Sequence, residues 1–297
     1  MKKHLIVITG PTGVGKTELC LQIAEYYGID IINADSRQIF KEIPIGTAAP
    51  SVRQMQRVRH FFVGTKHIGD YYSASLFEQN VIRMIKDSND SVFLLSGGSM
   101  MYIDAVCNGI DDIPSIEESV RIELKRRLEE EGIDSLLEEL KLLDSEYYAY
   151  VDKKNPRRII HALEICYQTG KTYSSFRTGE KKQRPFCVIK IGLFRDREEL
   201  YQRINSRVLD MIHEGLEDEA RRMLPFRCEN SLNTVGYKEM FQYFDGRITF
   251  EEAIRQIQSN TRRYARKQIT WCKRDKDMVW FHSSKVKEII NYIDMHL

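Results

Sequence analysis

The chain of 297 residues carries 45 basic and 43 acidic side chains, a formal net charge of +2, and 42% of its residues are hydrophobic. This length allows one large domain or two ordinary ones, and the apolar content excludes a mostly disordered chain. No apolar run approaches the roughly 18 residues of a membrane span, and Gly10 and Pro11 follow the first hydrophobic residues too soon for a signal peptide. We therefore predict a cytoplasmic protein with no membrane partner.

The first residues are typical of a strand, a loop and a helix. Leu5 to Thr9 is a continuous apolar, β-branched run, and Glu18 to Tyr27 has helical spacing of its apolar residues. Ile29 to Asn33 and Ser91 to Ser96 are two further predicted strands. Strands that alternate with helices favour an α/β fold with a parallel sheet, whose functional edge lies at the carboxyl ends of the strands.

The composition changes after Asp112. Residues 119–143 are rich in Leu, Glu, Lys and Arg with a break at Gly132, and a second helix is predicted over 157–169 after the start signal Asn155-Pro156. The polar stretch 171–185 is typical of a loop, and 187–194 indicates a return to the sheet.

The domain prediction follows from this change. We expect an α/β core formed by residues 1–112 and 186–297, interrupted by a helical insertion at 113–185. Three helical stretches are predicted after the return to the sheet, near 197–214, 216–224 and 250–274. The sequence has no heptad run and no long apolar edge of the kind that forms an interface with a second chain, so we expect a monomer.

The charges are segregated along the chain. Residues 111–146 have 13 acidic against 5 basic side chains, 153–190 have 10 basic against 2 acidic, and 261–276 have seven cations against Asp275. Such blocks are either solvated helix faces or surfaces that meet a polyanion, and the charge alone does not separate these two interpretations. The six cysteines are scattered with no C-x-x-C pair, so neither a disulfide framework nor a zinc site is expected.

A full G-x-x-x-x-G-K-[ST] motif lies between the first predicted strand and helix. Backbone N–H groups of such a loop face phosphate oxygens, the helix N-terminus adds positive potential, the lysine reaches the terminal phosphate and the hydroxyl can hold Mg²⁺. The predicted phosphate-binding residues are Gly10, Pro11, Thr12, Gly13, Val14, Gly15, Lys16 and Thr17.

The acidic residue that usually accompanies such a loop is displaced. Kinases and ATPases generally carry it at the end of a further strand, but here that strand ends in Ser96-Gly-Gly-Ser99. A carboxylate instead follows the second predicted strand, at Asp35, where a neighbouring parallel strand would bring it close to the loop. Asp35 could be a general base, a Mg²⁺ ligand or the cap of the following turn.

A series of short motifs follows in order along the chain. They are Gly10-Pro-Thr-Gly-Val-Gly-Lys-Thr17, Asn33-Ala-Asp-Ser-Arg-Gln38, Ile45-Gly-Thr-Ala48 with Pro50, Tyr72-Ser-Ala74, Gly97-Gly-Ser99 with Tyr102, Asn155-Pro-Arg-Arg158 with Ala162-Leu-Glu164, Leu200-Tyr-Gln-Arg-Ile204 with Arg207, Gly215-Leu216, Val235-Gly-Tyr-Lys238, and Thr261-Arg-Arg-Tyr-Ala265 with Gln268 and Trp271. Their order and spacing resemble the tRNA dimethylallyltransferase family, also called tRNA isopentenyltransferases, over essentially the whole chain. Because Cys272 stands alone, no zinc finger of the eukaryotic type is expected, and the resemblance is to bacterial members.

The resemblance implies a P-loop NTPase-like fold and a prenyl transfer. A dimethylallyl group would pass from dimethylallyl diphosphate to the exocyclic N6 amine of the adenosine 3′ of the anticodon in tRNA, with release of diphosphate. Lys16 and a Mg²⁺ ion held by Thr17 would stabilise the leaving group, and Asp35 would be the general base. Ser99 matches a family threonine beside the reaction centre. Whether ATP also uses the loop stays open.

The resemblance also implies binding residues. Arg203 and Arg207, four residues apart on one helix face, could clamp diphosphate or backbone phosphate, or could be ordinary surface arginines. The implied contacts with the tRNA anticodon stem-loop are Asp35, Ser36, Arg37, Gln38, Ser99, Arg121, Arg157, Arg158, Ile159, Ile160, His161, Lys238, Lys267 and Gln268.

The sequence departs from the family pattern at several places. Ala49 replaces a usual lysine, His161 replaces a usual arginine, and His60-Phe61 replaces two adjacent histidines. These changes concern tRNA contacts more than the chemistry. Two alternatives remain: a P-loop kinase of a nucleoside or small metabolite, and an RNA-binding module without catalysis, which would leave Lys16, Thr17 and Asp35 unexplained.

Overall fold

Six strands form one parallel sheet in a computed structural model that describes residues 2–114 and 116–297. In chain order they are β1 Lys3–Thr9, β2 Ile31–Asn33, β3 His60–Phe61, β4 Val92–Gly97, β5 Phe186–Phe194 and β6 Val279–His282. The order across the sheet is β3-β2-β4-β1-β5-β6, and every pairing is parallel. The predicted α/β fold with a parallel sheet is confirmed.

Helices cover both faces of this sheet. Helices α5, α6 and α7 belong to a second unit and are described below. The helices of the sheet unit are α1 Lys16–Tyr27, α2 Val52–Arg57, α3 Ala74–Asp87, α4 Met100–Asn108, α8 Arg197–His213, α9 Leu216–Arg222, α10 Tyr237–Phe244, α11 Phe250–Cys272 and α12 Val286–Asp294. Ile6 and Ile8 of β1 pack with α1 and α12, whereas Leu5 and Val7 pack with α3 and α4. Alternate residues of a strand point to opposite faces of the sheet, so the side chains of β1 contribute to an apolar core on each face.

A third apolar cluster joins the C-terminal helices to the segment after β2. Ile39 and Ile43 pack with Val208 of α8, Leu216 of α9 and Tyr237 of α10. This packing brings α8 beside the loop that follows β1. The prediction of helices near 197–214, 216–224 and 250–274 is confirmed, whereas α10 was not predicted.

The chain divides into two compact units, Met1–Asn108 with Gln183–Leu297, and Gly109–Lys182. These boundaries lie a few residues before the predicted ones at 113 and 185. The second unit contains α5 Glu118–Leu143, α6 Ser145–Tyr150 and α7 Pro156–Thr169. Gly132 interrupts α5 with a φ of 81°, at the predicted break. Asn155 caps α7 by accepting a hydrogen bond from the backbone N–H of Arg158.

One topological expectation is wrong. β2 was expected to lie next to β1, but β4 lies between them and pairs with both. Asp35 is therefore one strand further than expected from the loop of residues 10–17, which we call the phosphate loop. Within the part of the chain that the structure describes, no helix is both long and apolar enough to cross a membrane.

Candidate active site at the carboxyl edge of the sheet

The phosphate loop connects the carboxyl end of β1 to the first turn of α1. Gly15 is the N-cap of α1 with a φ of 104°, in the left-handed region that a residue without Cβ adopts at no steric cost. Lys16 is the first residue of the helix, and Thr17 beside it is exposed. The geometry leaves the N-terminal N–H groups of α1 at the edge of the sheet, where an anion can bind them.

The Lys16 side chain is folded onto the loop. Its Nζ donates hydrogen bonds to the carbonyl oxygens of Gly10, at 2.8 Å, and Pro11, at 2.9 Å. Burial and then the nearby cation of Arg207 lower the pKa of Lys16 to about 8, although the charge of Asp35 acts in the opposite direction. Among the described residues no carboxylate lies within hydrogen-bonding distance of Lys16 Nζ, so its charge is available to an anion that enters the loop.

Three arginine side chains donate hydrogen bonds to residues of the same loop. Arg207 Nη1 donates to Thr12 Oγ1 at 3.1 Å, Arg203 Nε to the carbonyl of Gly13 at 2.9 Å, and Arg195 Nε to the carbonyl of Val14 at 2.8 Å. Arg203 and Arg207 lie on one face of α8, as predicted, and both contact the loop. Arg195 follows β5 and was not predicted. Three cationic side chains therefore contact this loop.

Asp35 lies just beyond β2. Its Oδ1 accepts hydrogen bonds from the backbone N–H groups of Arg37, at 2.9 Å, and Gln38, at 3.3 Å. The side chain therefore caps the following turn, which is one of the three roles that the sequence left open. The cap occupies Oδ1, and Oδ2 lies on the side of Gly98, 3.7 Å from where a Cβ of that glycine would stand. Capping fixes the carboxylate in one orientation and is compatible with a catalytic role for its other oxygen.

Ser99 ties the ends of β2 and β4 together. Its side chain is 8% exposed; its Oγ accepts a hydrogen bond from the Ser36 backbone N–H at 2.8 Å and donates to Ser36 Oγ at 3.0 Å. The Ser99 backbone N–H donates to the carbonyl of Ala34 at 3.1 Å. Ser99 thus supports the turn that carries Asp35. Both residues lie at the edge of the sheet where the parallel strands have their carboxyl ends.

Gln268 of α11 links the phosphate loop to the turn after β4. Its Oε1 accepts a hydrogen bond from the Thr12 backbone N–H at 2.8 Å, and its Nε2 donates to the Gly98 carbonyl at 2.9 Å. The exposed Tyr264, one turn earlier, also donates to the Gly98 carbonyl at 3.3 Å. Gln268 is 2% exposed. The resemblance implied a tRNA contact for it, but both ends of its amide are engaged within the protein, so its side chain acts as an internal link.

A buried glutamate organises the loop that follows β2. Glu219 of α9 accepts hydrogen bonds from the backbone N–H groups of Ile45, at 2.9 Å, and Gly46, at 2.8 Å, and from the Tyr237 hydroxyl at 2.5 Å. Burial and then the Glu219 charge raise the pKa of Tyr237 well above its ordinary value. The sequence offered only Gly215-Leu216 nearby as a signal, and Glu219 was missed.

The loop that Glu219 organises also contacts two predicted site residues, Gln38 and Arg207. Gln38 Nε2 donates to the carbonyl oxygens of Thr47, at 3.0 Å, and Ala48, at 3.1 Å, and the Ala48 carbonyl also accepts from Arg207 at 3.4 Å. The loop therefore shares Arg207 with the phosphate loop. Gln38, one of the predicted tRNA-binding residues, uses its Nε2 group for this internal contact.

The remaining predicted tRNA-binding residues of the α/β core and of the helical unit differ in exposure. Lys238 and Lys267 are exposed on the core, and Arg157 and Arg158 are exposed in the first turn of α7. Ile159 and Ile160 pack in the core of the helical unit, at 0% and 9% exposure, and the tRNA contact that the resemblance implies for them stays a prediction.

One buried carboxylate organises two other predicted contacts of the helical unit. Glu164 is 4% exposed and accepts hydrogen bonds from Arg121 Nε at 3.3 Å and from the ring of His161 at 3.4 Å. A buried charge of this kind needs such partners. Arg121 and His161 are therefore held in place while remaining partly exposed.

Comparison with known proteins decides the family. The family model described as IPP transferase matches residues 38–275. The chain belongs to the IPP transferase family. Two relatives are similar to this chain over nearly their full length. The tRNA dimethylallyltransferase 1 of Phocaeicola vulgatus is 59% identical, over 99% of this chain and 98% of the relative. The tRNA dimethylallyltransferase 1 of Bacteroides fragilis is 57% identical, over 98% of this chain and 97% of the relative.

Solved structures agree with this IPP transferase assignment. The full-length tRNA isopentenylpyrophosphate transferase of Bacillus halodurans is 33% identical with a TM-score of 0.72, covering 99% of this chain and 96% of that one. A eukaryotic dimethylallyltransferase acting on tRNA has a TM-score of 0.80 at 23% identity, over 99% of this chain and 77% of that one, and shares the fold. The resemblance drawn from the motifs is confirmed.

Proposed function

We propose that this protein transfers a dimethylallyl group from dimethylallyl diphosphate to the N6 amine of the adenosine 3′ of the anticodon in tRNA, and releases diphosphate. The observation that carries the proposal is the joint presence, at one edge of the sheet, of a phosphate loop surrounded by arginines and of the oriented carboxylate of Asp35. The names of the relatives agree with this reaction. The strand next to β1, β4, ends in Ser96-Gly-Gly-Ser99, where the kinase alternative needs an acid.

The donor's diphosphate is assigned to the phosphate loop. Lys16, Arg203 and Arg207 lie on or against the loop, and their charges balance the negative charge that grows on the leaving group as the allylic carbon–oxygen bond breaks. Lys16 would exchange its two carbonyl contacts for phosphate oxygens. The residues Gly10, Pro11, Thr12, Gly13, Val14, Gly15 and Thr17 form the cradle.

The acceptor amine is assigned to the space beside Asp35 and Ser99. The adenine amine is a weak nucleophile, and a positioned carboxylate that accepts its proton contributes about 10² to 10⁴ in rate. The turn that Asp35 Oδ1 caps holds its carboxylate still, so no reorganisation is needed when the proton moves. Ser99 Oγ, which bonds Ser36, keeps that turn against the end of β4.

Magnesium fits this site as an ion shared with the substrate. Among residues 2–114 and 116–297, no group of three or more His, Cys, Asp or Glu side chains could hold a metal. Mg²⁺ generally takes one or two protein oxygens together with phosphate oxygens and water, and the exposed Thr17 hydroxyl is such a ligand. A bound Mg²⁺ would neutralise part of the diphosphate charge.

The tRNA is assigned to the cationic surfaces of both units. The exposed cations of α11, among them Arg263, Arg266 and Lys267, suit the phosphates of the anticodon stem, and Arg157 and Arg158 offer a second group. Modification of an anticodon-loop base requires that it be turned out of the loop. We assign the protein to the cytoplasm, where tRNA is modified, and to a monomeric state.

The direct test is a transfer assay. Incubation of the protein with Mg²⁺, labelled dimethylallyl diphosphate and unmodified tRNA that carries adenosine 3′ of the anticodon should place label in the tRNA, and tRNA with guanosine at that position should stay unlabelled. Transfer of phosphate from ATP to a small acceptor, with no label in tRNA, would instead support the kinase.

A pH dependence follows from Lys16. Its pKa of about 8 means that the charged, anion-binding form is lost as the pH rises through 8, so the affinity for inorganic pyrophosphate should fall by up to about tenfold per pH unit above that value. Titration calorimetry from pH 7 to 9.5 measures this. In Lys16→Arg the cation persists at all these pH values. The wild-type affinity must therefore fall more steeply than that of the variant, and parallel curves would contradict the assignment.

A further inference from the structure

Ser283 has a buried side chain that nothing in the proposed reaction uses. It follows the last residue of β6, is 7% exposed, and its backbone N–H donates to the Phe194 carbonyl at 3.3 Å, which ties it to the end of β5. Within residues 2–114 and 116–297 its Oγ has no hydrogen-bond partner. A buried hydroxyl without a partner is unfavourable, so such a group generally serves a ligand or water.

This hydroxyl is directed at the phosphate loop. A Cβ placed on Gly15 would have three nearest neighbours, namely Arg195 Nη2 at 3.5 Å, Arg203 Nη2 at 3.8 Å and Ser283 Oγ at 3.9 Å. Each of these atoms carries a hydrogen that it can donate. Three donors from β5, α8 and β6 thus converge over the N-cap of α1, which adds its own positive potential.

The charge at this position favours an anion. Arg195 and Arg203 bring two cations, of which the first also contacts the Glu199 carboxylate through Nη1. The His282 ring lies 3.8 Å from the other oxygen of Glu199 and turns Nδ1 to Ser284 Oγ. Glu199 therefore offsets one cation, and within the described part of the chain no carboxylate forms an ion pair with Arg203 beside the Ser283 hydroxyl.

We propose that Arg195, Arg203 and Ser283 form an anion-binding position, adjacent to the phosphate loop, that takes one phosphoryl group of the donor's diphosphate. The inference rests on the proposed function, and it adds two residues, Arg195 and Ser283, that no motif indicated. The loop holds one phosphoryl group through its backbone N–H groups and Lys16, and this position holds the other. Ligands of parallel sheets bind at the carboxyl ends of strands, and β1, β5 and β6 end here side by side.

The test compares two inorganic ligands by titration calorimetry. The loop alone suffices for phosphate, whereas pyrophosphate uses both positions. We expect Ser283→Ala to weaken pyrophosphate binding about tenfold and to leave phosphate binding within about twofold, because one hydrogen bond to a charged group is removed. Ser283→Thr, which retains the hydroxyl, should restore most of the affinity. Ser284→Ala is the matched control and should bind both ligands like the wild type.

The outcomes separate the two proposals. Unchanged pyrophosphate binding in Ser283→Ala, or an equal loss for phosphate and pyrophosphate, overturns the anion position and leaves the proposed function in place. A wild-type protein that binds no pyrophosphate overturns the proposed function as well. Thermal unfolding of each variant, matched to the wild type, shows that binding changes do not come from unfolding.

Discussion

Asp35→Asn is expected to lower the rate of prenyl transfer by about 10² to 10⁴ while tRNA binding changes by less than about twofold. Asparagine retains the oxygen that accepts hydrogen bonds from the N–H groups of Arg37 and Gln38, so the turn stays capped. It cannot accept the proton of the attacking amine. Single-turnover rates with saturating tRNA, together with filter binding, measure the two quantities separately.

This substitution distinguishes two roles that the structure brings together in one side chain. If Asp35 is only a cap, Asp35→Asn will react at nearly the wild-type rate, and that result would remove the general base from the mechanism. Asp70 provides a control because its carboxylate accepts a hydrogen bond from the backbone N–H of His67 in a separate turn. Asp70→Asn should leave the rate unchanged.

Gly97→Ala is expected to have the largest effect on folding, with a loss of about 3 kcal/mol in the free energy of unfolding. A Cβ on Gly97 would lie 2.1 Å from the carbonyl oxygen of Ala34 and 2.3 Å from its carbon, and both are backbone atoms of the neighbouring strand end. Neither can move aside without opening the contact between β2 and β4. Urea denaturation followed by circular dichroism measures the loss.

The same substitution should also reduce catalysis in whatever protein remains folded. Ala34 precedes Asp35, and its carbonyl accepts the backbone N–H of Ser99 at 3.1 Å, so displacement of Ala34 moves both residues. Gly69→Ala is the matched control, because among the described residues no atom beyond its chain neighbours lies within 4 Å of the added methyl group. Its stability should stay within about 0.5 kcal/mol of the wild type. A similar small change in Gly97→Ala would contradict this account of the strand contact.

The phosphate loop could be predicted from the sequence because its chemistry is local. Gly15, Lys16 and Thr17 are neighbours in the chain, and a strand followed by a Gly-rich loop and a helix brings their N–H groups and side chains together without help from distant residues. The start of α7 at Asn155-Pro156 and the break at Gly132 are local in the same sense.

Arg195, Glu219 and Ser283 could not be predicted in the same way. Each lies outside any recognisable motif, and each acquires a role only where a distant segment passes it. The resemblance indicated Gln268 as a tRNA contact, but its position between Thr12 and Gly98 depends on the tertiary structure. Strand β6 was not predicted, because it has only four residues and lies at the edge of the sheet.

The sequence by itself determined the α/β class, the phosphate loop, the helical insertion and the family, because these depend on spacings within short stretches of chain. Only the tertiary structure decided which residues surround the loop. The order β3-β2-β4-β1-β5-β6 brings the ends of β5 and β6 to one side of β1, and β4 with the Asp35 turn to the other. For that reason the side chains of Arg195, Arg203 and Ser283 meet at Gly15, which precedes them by 180 to 268 residues in the chain. Strand order depends on long-range packing, which no local pattern records.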